Sequence, residues 1–139
     1  MKKFVFKSLF ALLLMGLVFV PVRAAVVVIG HDQLIGLDEV AINRIYTGKM
    51  IEVQGIAVSP VNLYSATELR SRFMQQIIGQ DDDKYIAYWV VRRSIGRGFP
   101  PKEFSSPSEV LNYVKNTPGA IGYVDEADVT SGVKVLLKK

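Results

Sequence analysis

Apolar positions along this chain change period several times, and each change marks an element. Val26-Val27-Val28-Ile29 is an unbroken β-branched run closed by Gly30, the pattern of a buried strand. Gly30 to Gly36 reads as a loop. From Asp38 the spacing becomes helical, with Val40, Ile42 and Ile45-Tyr46 on the apolar side and Gly48 as the stop. Ile51 to Val61, interrupted by Gly55 and Pro60, predicts a turn and a short strand at Ile56-Ala57-Val58.

Ser65-Ala66-Thr67-Glu68 has the form of a capping box, in which Ser65 accepts from the third amide and Glu68 reaches back to the amide of Ser65. Leu69, Phe73 and Ile77 then recur at i, i+4 and i+8, an apolar stripe that Gly79 ends. Asp81, Asp82 and Asp83 suit another helix N-terminus, and Tyr85, Tyr88, Trp89, Val90 and Val91 carry that helix to Gly96. Gly96 to Pro101 reads as an irregular loop. Ser106-Pro107-Ser108-Glu109 is a second capping box with proline at the first helical position, and Val110, Leu111 and Val114 form the inner face of its helix. After the break at Thr117-Pro118-Gly119, strands are expected at Ala120–Val124 and Val133–Leu137, with a loop between them. The order β, α, β, α, α, α, β, β argues for an α/β chain, a sheet with helices packed on its faces. No repeat, low-complexity stretch or linker divides it, so 25–139 reads as one domain.

The first 24 residues follow a different rule. Lys2, Lys3 and Lys7 precede an apolar run from Leu9 to Val22, and Val22-Arg23-Ala24 suits a cut after Ala24. The run is shorter than the ~20 residues that span a bilayer. Residues 1–24 are therefore expected to be a signal peptide, and the remainder to be periplasmic or secreted. This changes the meaning of the charge. The chain carries 17 Lys and Arg against 13 Asp and Glu, but Lys2, Lys3, Lys7 and Arg23 leave with the signal, so the exported part is neutral. Its composition gives no argument for nucleic acid as a partner.

Candidate chemistry is sparse. The chain has no Cys, which excludes disulfides, thiolate catalysis and Cys-based metal sites. His31 is the single His, so a two-His metal site cannot form, and a structural or solvated role suits it better than pairing with Asp32. Ser65 lacks the G-x-S-x-G elbow and an evident base. The three consecutive aspartates do not alternate as Ca²⁺ ligands do. No catalytic set, metal site or cofactor is expected, and the chain does not read as an enzyme. Arg92, Arg93 and Arg97 read as a solvated helix end or as anion ligands. The helix beginning near Ser65 would offer free amides and a positive dipole end to an anion.

Several segments together resemble the phosphate-type periplasmic substrate-binding proteins of ABC transporters. Ile45-Tyr46-Thr47-Gly48-Lys49 is similar to their I-F/Y-x-G-K segment. Ser65-Ala66-Thr67 followed by Phe73 stands where that family has its Ser-Gly-Thr phosphate loop. Trp89, Gly96, Gly98 and Pro100 resemble its W…G-x-G…P stretch, and Thr117-Pro118-Gly119-Ala120-Ile121-Gly122-Tyr123-Val124 is close to its T-P-G-A-I-G-Y-V. The resemblance implies a single-lobe periplasmic-binding-protein-like sheet, since the family's receptors are two-lobed and twice or more as long. It also implies a small oxyanion as ligand, phosphate first, held by Ser65, Ala66 and Thr67 with Arg97 as the cation. An ABC permease or another envelope protein would be the partner, and a second copy would be one way to complete the cleft. Two departures qualify the ligand: Val61 and Leu63 stand where the receptors carry Arg and Asp, and Ala66 replaces the loop glycine. One helix N-terminus supplies roughly 0.3–2 kcal/mol toward an anion, whereas micromolar binding needs about −8 kcal/mol. Weak binding is the expectation for one lobe. The alternative is an envelope interaction or sensing module derived from such a lobe, with transport lost.

Overall fold

The structure is a computed structural model, and it describes residues 16–19 and 24–139. Of the expected signal peptide, all but 16–19 and Ala24 lies outside the described residues. Among the described residues, no helix is long and apolar enough to cross a membrane.

The run at Val26–Gly30 forms β1, buried at all five positions. It pairs antiparallel with β6 (Ala120–Asp125) on one side and with β7 (Lys134–Lys138) on the other. Beyond β6 lies β4 (Ser59–Leu63), parallel to it, and beyond β4 the edge strand β5 (Lys102–Phe104), also parallel. The sheet order is therefore β5-β4-β6-β1-β7.

Both faces of this sheet are covered, which is why its inner strands read as continuous apolar runs instead of alternating ones. Gly122 and Tyr123 are neighbours in β6 and point to opposite faces. On one face a Cβ at Gly122 would meet Val110 and Val114 of α4 (Pro107–Asn116) at 2.5 and 3.3 Å. On the other, the Tyr123 ring stacks on Phe73 at 3.8 Å and lies 6.2 Å from Tyr46. Tyr46 ends α1 (Glu39–Tyr46), and Phe73 ends α2 (Glu68–Phe73), which runs on into a π-helical segment, Met74–Ile78. Gly79 closes that segment in the left-handed conformation, as its position predicts. Helix α3 (Asp82–Ser94) follows, burying Tyr85 and Trp89.

The caps of α1 and α4 follow the sequence. Asp38 accepts from the amide of Ala41 at 2.7 Å, and Ser106 accepts from that of Glu109 at 3.3 Å. Glu109 reaches back one residue further than a simple box, to the amide and hydroxyl of Ser105. Those hydrogen bonds hold its carboxyl below the usual carboxylate range.

Three expectations are corrected. Ser59–Leu63 is a central strand, although Pro60 argues against one. The amide of Ser59 donates to Gly119 on the β6 side, so the nitrogen of residue 60 faces the other way, where β5 begins only opposite Val61. The missing donor thus falls where no partner strand runs. The segment before it is a hairpin of β2 (Glu52–Val53) and β3 (Ile56–Ala57), turned by Gln54 and Gly55, both at positive φ. Residues 102–104, to which the sequence pattern assigns no element, form the edge strand β5. Val40, expected on the apolar side of α1, is 67% exposed, and Val90 and Val91 on α3 are exposed as well.

The apolar stripe of α2 is core: Leu69, Phe73 and Ile77 are buried. Phe73→Leu keeps an apolar side chain but loses the stack on Tyr123 and the edge contact with Tyr46 at 4.8 Å. It is expected to cost about 1–2 kcal/mol, the sum of a modest packing loss and an aromatic pair. Urea unfolding followed by far-UV circular dichroism checks this, and a loss below ~0.5 kcal/mol would mean that the ring contributes nothing specific.

Candidate functional site

Strand β4 ends at Leu63, and the chain turns through 64–67 into α2 at the carboxyl end of the parallel strands. This is where open α/β sheets place ligands. The amide of Tyr64 donates to Phe104 of β5 and anchors the turn. Ser65 and Ala66 are exposed, and Ala66 sits at φ +69°. Because that left-handed residue intervenes, Ser65 does not cap the helix. The cap is Thr67, whose hydroxyl accepts from the amide of Arg70 at 3.4 Å and donates to the carbonyl of Tyr64 at 3.0 Å. Glu68 lies beside Arg72, with 3.8 Å between Oε1 and Nε, and does not turn back to Ser65. The amides of Ser65, Ala66, Glu68 and Leu69 are left without partners among the described residues. They form a small cluster of outward donors.

A left-handed Ala costs roughly 1–2 kcal/mol, against ~0.5–1 kcal/mol of extra chain entropy for Gly. Ala66→Gly is therefore expected to stabilise the protein by about 0.5–1 kcal/mol. A lowered midpoint in thermal unfolding would show that the turn does not hold Ala66 at positive φ.

Beneath the turn lies a polar network that the sequence did not announce. Arg70, to which the sequence pattern assigns no role, is 2% exposed. Its Nε donates to Asp82 at 2.7 Å, and its Nη1 donates to the carbonyl of Leu63 at 2.7 Å. Glu103 of β5 approaches the same Nη1 at 3.2 Å. Burial works against the charge of this guanidinium, but the hydrogen bond and charge of Asp82, with Glu103 behind it, hold its pKa above the ordinary value. A signal existed: Arg70 precedes Phe73 and Met74 by three and four residues, so it shares their inward face.

Asn62, 1% exposed, lies on the same side. Its Oδ1 accepts from Tyr123 at 2.6 Å, and Tyr123 in turn accepts from the amide of Leu63. Tyr85 and Trp89 both donate to the carbonyl of Tyr46, at 2.8 and 3.3 Å. Tyr46 donates to the carbonyl of Val61 at 2.8 Å. Burial raises the pKa of all three tyrosines, so they remain protonated donors. Val61 and Leu63 are buried core positions.

The other sequence-predicted residues lie apart. Arg97 is exposed on the loop after α3, and no hydrogen bond or ion pair among the described residues joins it to Ser65, Ala66 or Thr67. Arg92 stacks over Tyr88 and Trp89 at 5.5 and 5.6 Å, and Arg93 over Phe99 at 5.6 Å. His31 follows β1 at the opposite end of the sheet from Ser65, its Nδ1 2.9 Å from Asp32. The two side chains meet each other at the end of β1, away from the Ser65 turn. Among the described residues, no cluster of three or more His, Asp and Glu side chains could hold a metal ion.

Neither a protein-family model nor any curated protein matches the chain by sequence. Solved structures do match. A putative phosphate ABC transporter substrate-binding protein with bound phosphate from Clostridium perfringens superposes with a TM-score of 0.64 and 20% identity, over 83% of this chain and 46% of that one. An ABC-type phosphate transport receptor from Vibrio cholerae gives a TM-score of 0.62 and 15% identity, over 81% and 46%. PstS from Borrelia burgdorferi gives 0.61 and 16%, over 83% and 48%. The chain thus has the fold of a phosphate-type periplasmic-binding-protein lobe, a mixed α/β layer with a five-stranded sheet. It spans about half the length of the solved structures it matches.

Proposed function

We propose that this chain is an exported oxyanion-binding protein of the ABC-transport type, presenting one half of a ligand cleft. One observation carries the reading: in a lobe with the fold of phosphate receptors, the turn Ser65-Ala66-Thr67 leaves a cluster of amides unpartnered at the carboxyl end of β4. Phosphate would sit on those amides and on the hydroxyl of Ser65, without Arg97, whose loop leads into the amino end of β5 and away from that turn. Thr67 contributes mainly by holding the turn, since its hydroxyl is already engaged by Tyr64 and Arg70. An open site keeps water in competition, so a monomer is expected to bind more weakly than ~100 μM. Closure by a second lobe or a second molecule would exclude that water and strengthen each contact.

Phosphate titration followed by amide resonances is the test. Ser65 to Glu68 should shift, and Ser65→Ala should weaken binding. Shifts elsewhere with Ser65 to Glu68 unmoved would refute the site. Submicromolar binding by a proven monomer would refute the half-cleft.

A second reading has its own support. Val61 and Leu63 face the core where the receptors carry Arg and Asp, and the buried cation nearest the turn is already matched by Asp82 and Glu103. A lobe without a free charge at its base suits an envelope interaction module. A permease encoded beside this chain, and binding to it, would favour transport.

A further inference from the structure

Between α3 and β5 the molecule holds a cleft of about 120 Å³ that the oxyanion reading does not use. Its floor is Asn62 and Arg70, and its walls include Tyr85, Trp89, Val90 and Pro101. Apolar walls over a few convergent polar groups are the composition of small-molecule sites. The floor also offers an unspent donor. Arg70 is almost wholly buried, and its Nε and Nη1 are engaged, but its Nη2 makes no hydrogen bond among the described residues. Glu103 covers the outer edge of the guanidinium only loosely: it stands 3.2 Å from Nη1 without forming a hydrogen bond, and it is 41% exposed.

We propose that this cleft binds a small monocarboxylate with a short branched apolar body, the carboxylate replacing Glu103 at the outer edge of Arg70. Exchange of one carboxylate for another leaves the charge on Arg70 matched, and Glu103 is free to turn into water. The carboxylate gains charge-assisted hydrogen bonds from Nη1 and Nη2. The body lies against Tyr85, Trp89 and Val90. Size limits the class: about 120 Å³ is less than the ~150 Å³ that accepts benzene, so the space takes an apolar body of three or four carbons, with the carboxylate itself at the edge of Arg70. Inorganic phosphate, with no apolar part, gains nothing from these walls. The site is independent of the Ser65 turn, and either can fail alone.

Trp89 is the single tryptophan and forms a wall of the cleft, so its emission and its indole N–H resonance report directly. Isovalerate is expected to shift both saturably, with isovaleramide at least ~10-fold weaker because it lacks the charge. Glu103→Gln should bind isovalerate roughly 3–10-fold tighter, since it removes the competing carboxylate. Val90→Phe, at an exposed position on the rim, should abolish binding while leaving the unfolding midpoint unchanged. Equal binding of isovaleramide, no gain from Glu103→Gln, or no saturable response to isovalerate would overturn the proposal. So would isovalerate shifts confined to Ser65–Glu68. Phosphate moving Ser65–Glu68 but not Trp89 supports the separation of the two sites, and phosphate moving Trp89 instead would overturn it.

Discussion

Gly119→Ala should be among the most damaging single-methyl changes in this protein, costing about 4 kcal/mol or more. Gly119 has φ +75°, and a Cβ built on it would stand 1.9 Å from the carbonyl oxygen of Ala57. That neighbour is backbone, so no rotamer can relieve the clash. The hairpin of β2 and β3 would have to move, and the bond from the amide of Ser59 to the carbonyl of Gly119, which joins the start of β4 to the start of β6, would move with it. The left-handed conformation alone accounts for roughly 1–2 kcal/mol of the cost. Gly122→Ala is the informative comparison, because its new Cβ meets mainly side chains, Val110 at 2.5 Å first. That overpacking should cost about 1–3 kcal/mol. Urea unfolding of both variants checks the order, and a Gly119→Ala loss below ~1 kcal/mol would mean that Ala57 does not pack against this turn.

This comparison bears on what the sequence could reveal. Thr117 to Val124 is its most recognisable stretch, and the structure gives each of its glycines a packing reason: one a backbone crossing, the other the close approach of α4. The resemblance it carries is therefore a resemblance of fold, and the fold was legible. The apolar runs of β1 and β6 announced themselves because both faces of the sheet are covered. Ser59–Leu63 did not, because Pro60 is tolerated only where β5 has not yet begun, a fact about a neighbouring strand. β5 was hidden because three residues at an edge carry no period.

The candidate site was half legible. The turn at Ser65-Ala66-Thr67 was found, but the wrong residue was expected to cap it. The shift depends on the φ of Ala66, which composition favours in neither direction. Arg70 went unseen for a different reason. A charged residue on a helix is ordinarily solvated, and only the arrival of Asp82 and Glu103 from distant segments makes this one a buried anchor.

That anchor is the second position where a large effect is expected. Arg70→Met preserves helix propensity and much of the aliphatic stem, yet should destabilise the protein by about 3–5 kcal/mol. The loss is not the net worth of an ion pair. It arises because the carbonyl of Leu63 loses its donor and Asp82, partly buried, loses its cation. Arg70 also ties together the end of β4, the start of α3 and β5, so the turn at Ser65 would lose its floor at the same time. Adding Asp82→Asn should recover part of the deficit, because it removes the stranded charge while leaving the stranded carbonyl. Arg93→Met, at an exposed position on α3, should stay within ~0.5 kcal/mol of the parent. Chemical unfolding of the parent, Arg70→Met, Asp82→Asn, their double variant and the Arg93→Met control measures the cycle. A double variant no more stable than Arg70→Met would mean that Asp82 does not depend on Arg70. An Arg70→Met loss as small as that of Arg93→Met would mean that water reaches the guanidinium, and that the buried anchor is wrongly placed.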